Sequence, residues 1–131
     1  MKKIISILGS TGSIGLSALK IVDKKKSIFE INLLSANKNY KSICTQIKKY
    51  KPKIFVITNA QIYQKIKIKF KKSKTNIFQD FRNVIKIKKN DITISAISGI
   101  AGLQPTLKMM PFTKNLLIAN KESIICGWDL I

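Results

Sequence analysis

The sequence has no histidine, a single arginine (Arg82) and only 6 acidic residues against 25 lysines and arginines, so its net charge at pH 7 is +19. Such a charge is typical of proteins that bind nucleic acid or an anionic surface. Nucleic-acid recognition, however, depends heavily on arginine, whose planar guanidinium offers two parallel donors. The near absence of arginine, and the spread of lysine over every segment, favour compositional drift in an AT-rich genome. We therefore expect no specific nucleic-acid partner.

Cysteines and long apolar runs are also scarce. Cys44 and Cys126 lie far apart and neither belongs to a CxxC pair, which suits a reducing cytosol where each is a small buried hydrophobe. The first apolar stretch stops after about five residues at Gly9, whereas a secretory signal needs roughly seven to fifteen. No window approaches the roughly eighteen apolar residues of a membrane span. These absences predict a cytoplasmic protein without a membrane segment.

The chain does contain a regular alternation of short β-branched runs with longer segments of helical period, in 131 residues that are 45% hydrophobic. This alternation predicts one α/β domain, a Rossmann-like, doubly wound and mostly parallel sheet with helices on both faces. The predicted strands are Lys3–Leu8, Phe29–Ser35, Ile54–Ile57, Ile92–Ile97 and Leu116–Ala119. The predicted helices are Ser13–Lys25, Tyr40–Tyr50, one from a cap at Thr58 or Asn59 to about Phe70, and one with Pro105 in its first turn.

The predicted segments differ in how clearly the sequence defines them. The first helix has an apolar face, broad enough to pack on a sheet, made of Ile14, Leu16, Ala18, Leu19, Ile21 and Val22. The lysine-rich stretch from Lys71 to Asn90 has no clear periodicity and is assigned no element.

Ligands of parallel α/β sheets bind where the strands end. Four loops are predicted at that edge, and they are the most distinctive stretches of the sequence: Gly9–Gly15, Ala36–Asn39, Ser98–Thr106 and Asn120–Ser123. This coincidence predicts one binding site at the carboxyl ends of the strands.

The first loop, GSTGSIG, lies between a strand and a helix, the context in which a glycine motif indicates phosphate binding. Gly9 permits a tight turn, Gly12 lets the backbone approach a phosphate, and Gly15 lets helix and strand pack closely. The helix N-terminus adds oriented donors, and Thr11 and Ser13 add hydroxyls. The spacing is G-x-x-G-x-x-G, which only approximates the dinucleotide pattern, so a glycine turn kept for packing stays open.

The second loop follows the second predicted strand and lacks the carboxylate that an NAD enzyme uses to bind the ribose 2′-hydroxyl. Ser35, Asn37, Lys38 and Asn39 occupy the place instead. A cation with amide and hydroxyl donors suits a 2′-phosphate, so the loop favours NADP over NAD.

The last two loops are weaker evidence when taken singly. Gly99 and Gly102 let the backbone pass close to a ligand, or merely shape a turn before Pro105. Asn120, Lys121 and Glu122 gather an amide, a cation and a carboxylate at a strand end, or form a solvated helix start.

Taken in order, GSTGSIG, the A-N-K-N of the second loop, SGIAGLQPT and ANKES resemble the motifs of 1-deoxy-D-xylulose 5-phosphate reductoisomerase, with residues of about 60–90 the least similar. The resemblance implies an N-terminal NADPH-binding domain of that family. Its members convert 1-deoxy-D-xylulose 5-phosphate to 2-C-methyl-D-erythritol 4-phosphate, with NADPH and a divalent metal (Mg²⁺ or Mn²⁺), in non-mevalonate isoprenoid biosynthesis.

The resemblance also assigns roles to residues of this chain. It implies a cofactor site in which the turn shaped by Gly9 and Gly15 holds the pyrophosphate, the second loop meets the adenosine ribose and its 2′-phosphate, and the last loop lines the nicotinamide. The residues concerned are Gly9, Thr11, Gly12, Ser13, Ile14 and Gly15, then Asn37, Lys38 and Asn39, then Asn120 and Glu122. Lys121 would reach the sugar-phosphate substrate.

The family's metal ligands and substrate clamp are implied to follow ANKES, beyond this chain. The acids outside that motif, Asp23, Glu30, Asp80, Asp91 and Asp129, show no metal-ligand spacing. We therefore expect residues 1–131 to be one NADPH-binding domain with no catalytic or metal-binding residue of its own, inactive without the rest of the enzyme. The oligomeric state stays open, a homodimer of the full-length enzyme included.

The sequence leaves two other functions open. An NADP-linked oxidoreductase of the dihydrodipicolinate reductase or semialdehyde dehydrogenase type could carry the glycine turn, although SGIAGLQPT together with ANKES argues against both. A basic nucleic-acid-binding module would need an aromatic stacking stripe or an arginine-rich reading helix, and the sequence has neither.

Overall fold

A six-stranded, entirely parallel sheet forms the centre of the protein, in the order β4-β3-β2-β1-β5-β6. The computed structural model describes residues 1–84 and 89–119. The strands are β1 Lys3–Leu8, β2 Phe29–Ala36, β3 Ile54–Ile57, β4 Asn76–Phe78, β5 Asn90–Ser95 and β6 Thr113–Ile118. The helices are α1 Ser13–Lys24, α2 Tyr40–Tyr50, α3 Ala60–Lys69 and α4 Leu103–Met109, with short 3₁₀ turns at Phe81–Asn83, Ile100–Gly102 and Met110–Phe112.

The helices cover both faces of the sheet because the chain reverses direction once. From β1 to β4 each strand is added on the same side of the one before, so the right-handed crossovers place α1, α2 and α3 on one face. The chain then returns to β5 on the other side of β1, and α4 and the 3₁₀ turn at Phe81 pack on the opposite face. Two apolar cores result. The larger, under α1–α3, includes Ile7, Leu19, Leu34, Ile43, Phe55 and Ile66, and the smaller includes Leu8, Leu33, Val56, Phe81 and Met109.

Asparagine is the N-cap residue of two of the helices. The side chain of Asn39 accepts a hydrogen bond from the backbone N–H of Ser42 at the start of α2. Asn59 does the same with the N–H of Ile62 at the start of α3. Each cap satisfies one of the backbone donors that a helix leaves free in its first turn.

The Rossmann-like fold class is confirmed, with the sheet entirely parallel. β1, α2 and β3 have the predicted bounds, and Pro105 lies in the first turn of α4 as predicted. β5 begins and ends two residues earlier than predicted, and β6 begins three residues earlier and ends one earlier. β4 was missed altogether, because three residues at a sheet edge are too few for an alternating pattern.

The predicted apolar face of α1 is partly wrong. Leu19 and Val22 are buried and Ala18 packs against the larger core, as expected. The other three apolar residues of that face are exposed: Ile14 by 48%, Leu16 by 41% and Ile21 by 57%. Gly15 lies on the buried side, so α1 approaches the sheet along a narrower stripe than six apolar residues suggest. Cys44 is buried as predicted, whereas Cys126 lies outside the described residues.

Candidate functional site

Three of the four predicted loops leave the sheet from one row of residues. Leu8, the last residue of β1, pairs with Ser35 of β2 on one side and with Ser95 of β5 on the other. The chain adds strands in opposite directions from β1 and β5, so the loops after these two strands diverge to opposite faces of the sheet. Such a point opens a crevice at the carboxyl edge, where ligands of these sheets bind. The structure therefore brings the first three loops to one edge.

Two glycines make the turn after β1 possible. Gly9 has a φ of +80°, a conformation that residues with side chains rarely adopt, and a Cβ there would lie 2.8 Å from the carbonyl oxygen of Ala96. A Cβ on Gly15 would overlap the carbonyl oxygen of Gly9 and the backbone of Ser10. Both glycines are therefore required by the protein's own packing.

Gly12 is different, because nothing in the described structure explains why it is glycine. It precedes α1 with an ordinary extended φ of –80°, and its Cβ would meet only the carbonyl oxygen of Gly9, at 3.8 Å. No described side chain caps the start of α1. Ser13 and Ile14 are exposed, and Thr11 is half-buried. An uncapped helix start behind an uncrowded glycine can bind an anion such as a phosphate through its backbone N–H groups.

A buried polar network, which the sequence analysis missed, holds this turn from behind. The Ser10 hydroxyl donates to the side-chain oxygen of Gln46 at 2.6 Å, and the Gln46 amide donates to the Ser10 carbonyl at 3.0 Å. Ser35 accepts through its hydroxyl from the N–H of Gly9 at 3.0 Å, and its carbonyl accepts from the N–H of Ser10 at 2.8 Å. The available signal was a glutamine among the apolar residues Ile43, Cys44 and Ile47 on the buried face of α2.

In the second loop the side-chain oxygens of two exposed asparagines accept hydrogen bonds from neighbouring segments. The Thr58 hydroxyl donates to the side-chain oxygen of Asn37 at 3.1 Å, and Asn39 caps α2. Lys38 between them is exposed, and within the described part of the chain its ammonium group has no hydrogen bond or ion pair. Its ammonium group is the free cation of this loop, and it lies on the same edge as the glycine turn.

The third predicted loop is shorter than expected, because much of Ser98–Thr106 is helical. Gly99 has a φ of +75° and open space around its missing Cβ, and it is followed by the 3₁₀ turn and then by α4. The Thr106 hydroxyl lies 2.6 Å from the hydroxyl of Ser95 and donates to the carbonyl of Gly102 at 2.6 Å. These buried contacts fix the start of α4 to the end of β5.

The fourth loop cannot be placed, since Asn120, Lys121 and Glu122 lie outside the described residues. β6 ends at Ile118, and the N–H of Ala119 donates to the Ser95 carbonyl at 2.9 Å. Within residues 1–84 and 89–119, no three His, Cys, Asp or Glu side chains gather as a metal ion would require. No helix in the same ranges is long and apolar enough to cross a membrane.

Away from the predicted loops, a group of hydrogen bonds joins α1 and α2 near their C-terminal ends. Lys49 and Tyr50 both donate to one carboxylate oxygen of Asp23, at 2.8 and 3.0 Å. The hydrogen bond from Lys49 lowers the pKa of Asp23 below its ordinary 3.8, and the pKa of Lys49 is raised in turn. Burial, reinforced by the hydrogen bond to Asp23, raises the pKa of Tyr50. These contacts hold the C-terminal ends of α1 and α2 together, while Gln46 ties α2 to the turn before α1.

The comparisons with known proteins all match one enzyme family. Residues 5–127 match the family model of 1-deoxy-D-xylulose 5-phosphate reductoisomerase. The enzyme of that name from Pelagibacter ubique is 46% identical over 135 residues, and the one from Buchnera aphidicola of Schizaphis graminum is 42% identical over 134. The structure of the Zymomonas mobilis reductoisomerase in complex with NADPH superposes with a TM-score of 0.89 at 29% identity, over 99% of this chain and 35% of that one.

A crystal structure of DOX-P reductoisomerase in complex with NADPH, fosmidomycin and magnesium matches 94% of this chain and 31% of its own, with a TM-score of 0.85 and 28% identity. The match to the Pelagibacter enzyme covers 100% of this chain but 34% of that protein, and the match to the Buchnera enzyme covers 97% and 33%. The chain therefore spans about a third of the length of these relatives.

Proposed function

This chain belongs to the 1-deoxy-D-xylulose 5-phosphate reductoisomerase family, and from that premise we propose that it is the NADPH-binding domain of such an enzyme. In the proposed reaction, 1-deoxy-D-xylulose 5-phosphate is rearranged and reduced to 2-C-methyl-D-erythritol 4-phosphate in non-mevalonate isoprenoid biosynthesis. The family match decides against the dihydrodipicolinate reductase and semialdehyde dehydrogenase types.

The observation that best supports NADPH binding is the contrast between the three glycines of the first turn. Gly9 and Gly15 are forced by internal packing, whereas a Cβ on Gly12, before an uncapped helix, would make one ordinary contact with the Gly9 carbonyl oxygen, at 3.8 Å. A glycine that the protein's own packing does not need suits a place where a ligand approaches the backbone closely. We assign the pyrophosphate to the backbone N–H groups of Thr11, Ser13 and Ile14, since the N–H of Gly12 donates to the Gly9 carbonyl at 3.4 Å. The helix dipole adds favourable electrostatics.

Lys38 supports NADPH over NADH. The side-chain oxygens of Asn37 and Asn39 accept hydrogen bonds within the protein, and Lys38 supplies the positive charge of this loop for a 2′-phosphate. The loop contains no carboxylate to repel that phosphate or to bind a free ribose 2′-hydroxyl.

When bound, NADPH supplies a hydride to the substrate. The part of this chain is to bind and orient the cofactor at the carboxyl edge of the sheet. By family resemblance, Asn120 and Glu122 would line the nicotinamide and Lys121 would reach the substrate phosphate. The described residues do not fit a metal site, so we assign the metal ligands to the portion of the relatives that this chain does not span.

The test is a titration of the purified protein with NADPH, followed by cofactor fluorescence. Micromolar binding that is lost in Gly12→Val, a variant whose side chain would occupy the open space before α1, supports the assignment. Ser17→Val serves as the control, because it adds a side chain of the same shape at an exposed position inside α1. Equal binding by the parent and Gly12→Val would contradict a pyrophosphate site at this turn.

A further inference from the structure

Gln46 is a polar residue in the middle of an otherwise apolar helix face, and only 3% of its surface is exposed. Burying an amide without partners is costly, so both ends of such a side chain need hydrogen bonds. Both are satisfied by Ser10, which lies 36 residues earlier in the chain: its hydroxyl donates to the Gln46 oxygen and its carbonyl accepts from the Gln46 amide. The glutamine therefore binds one residue of the glycine turn through two contacts.

The second of these contacts sets the direction of a peptide plane. Because the peptide bond is planar and trans, the carbonyl of Ser10 and the N–H of Thr11 point in opposite directions. The Ser10 carbonyl is directed into the protein, toward Gln46. The Thr11 N–H must then point away from α2, toward the half-exposed side of the turn. A flip of this peptide would put a carbonyl oxygen where an anion is expected.

We propose that Gln46 is a positioning residue of the cofactor site, which holds the Ser10–Thr11 peptide so that the Thr11 N–H faces the cofactor's pyrophosphate. This inference rests on the proposed function. It also makes α2 a rigid connection between the two halves of the site. The helix begins at the Asn39 cap beside Lys38 and, two turns later, fixes the pyrophosphate turn through Gln46.

Two variants of Gln46 test the proposal. Gln46→Glu has the same shape but has lost the donor to the Ser10 carbonyl, and Gln46→Met fills the same space without hydrogen bonds. Gln64→Glu is the matched control, because it makes the same chemical change at an exposed position of α3. Each variant is titrated with NADP⁺, which contains the pyrophosphate, and with adenosine 2′-monophosphate, which does not. Thermal unfolding is recorded in parallel.

We expect Gln46→Glu and Gln46→Met to weaken NADP⁺ binding by about tenfold, and binding of adenosine 2′-monophosphate by less than about twofold, since only the pyrophosphate contact is altered. The Thr11 amide resonance should shift on addition of NADP⁺ in the parent and fail to shift in Gln46→Met. A residue that merely stabilises the fold would weaken both ligands equally. Equal losses, or unchanged NADP⁺ binding in either folded variant, would overturn the proposal. Failure of the parent to bind NADP⁺ would instead overturn the proposed function.

Discussion

Gly15 rests directly against Gly9: a Cβ on Gly15 would overlap the Gly9 carbonyl oxygen, so the first turn of α1 packs on the turn that leads into it. Gly12, between them, has no such neighbour. The three glycines of GSTGSIG therefore do different work, although they look equivalent in the sequence. Two of them build the turn, and one leaves its outer side open.

This difference predicts opposite effects for two alanine variants. Gly15→Ala should lower the free energy of unfolding by about 2–3 kcal/mol, because its new methyl group meets backbone atoms that cannot move aside. Gly12→Ala should cost less than about 1 kcal/mol, the difference between glycine and alanine at a helix N-cap. Urea unfolding followed by circular dichroism measures both. Similar losses in the two variants would contradict the assignment of separate roles.

A second prediction concerns the choice of cofactor. Lys38→Asp should remove or reverse a preference for NADPH over NADH, because it replaces the free cation of the second loop with an anion. The parent's preference should shrink as salt is added, since the attraction is electrostatic and exposed. Lys53→Asp is the control: it makes the same charge change just before β3, at the opposite edge of the sheet. Equal affinity of the unmodified protein for the two cofactors would refute the role of Lys38.

The sequence alone predicted the elements that its local pattern defines. α2 could be delimited from its apolar stripe of Ile43, Cys44 and Ile47 and from Pro52 after its end, both of which act over a few residues. Exposure of Ile14 and Ile21 on α1 could not be foreseen, because an apolar residue in a helix indicates burial only when the sheet beneath it is known. The positions of these side chains depend on packing between distant segments.

For the candidate site too, the sequence reveals what depends on local spacing and misses what depends on contacts between distant residues. Gly9, Gly12 and Gly15 are recognisable by spacing, but which of them the fold itself requires is visible only in the contacts of the folded chain. Gln46 was missed because its partner Ser10 is 36 residues away, and no short-range pattern connects them. Asn37 and Asn39 are predicted to meet the ribose and its 2′-phosphate, and their side-chain oxygens accept hydrogen bonds from Thr58 and from the start of α2. Their side-chain amide N–H groups are the donors proposed to meet the ribose and its 2′-phosphate.

A third prediction concerns the dependence of stability on pH. The pKa of Asp23 is lowered mainly by the hydrogen bond from Lys49, so its contribution to stability is present above its ordinary pKa of 3.8 and is lost as the pH falls through the lower folded value. Asp23→Asn should therefore lower the urea midpoint at pH 7 and reduce the further loss below pH 3.8. Glu30→Gln is the control, since Glu30 is exposed and has no ion pair in the described part of the chain. Identical acid limbs in the parent and Asp23→Asn would contradict the assignment.

The charge of +19 leads to a fourth prediction. If the lysines reflect composition, the protein should bind DNA weakly and without sequence preference, and binding should disappear near physiological salt, because each neutralised phosphate releases counterions. Fluorescence anisotropy with two unrelated duplexes at increasing salt measures this. A sequence-selective complex that survives about 0.2 M salt would show that the basic surface has a function of its own.

The last prediction concerns turnover. Reduction of the substrate needs the hydride of NADPH, and the proposed rearrangement needs a metal to hold the substrate's oxygens and stabilise developing charge. The described residues provide a cofactor turn and no group of metal ligands, and the chain spans about a third of its relatives. The 131 residues alone should therefore bind NADPH without oxidising it in the presence of 1-deoxy-D-xylulose 5-phosphate and Mg²⁺ or Mn²⁺.

Supplying the remaining two thirds from a relative, fused or as a separate fragment, should restore turnover. In the restored enzyme Lys121→Ala should raise the KM for the sugar phosphate and leave NADPH binding unchanged. NADPH absorbance is the readout, and metal-dependent oxidation by the 131 residues alone would place the catalytic and metal-binding groups within this chain.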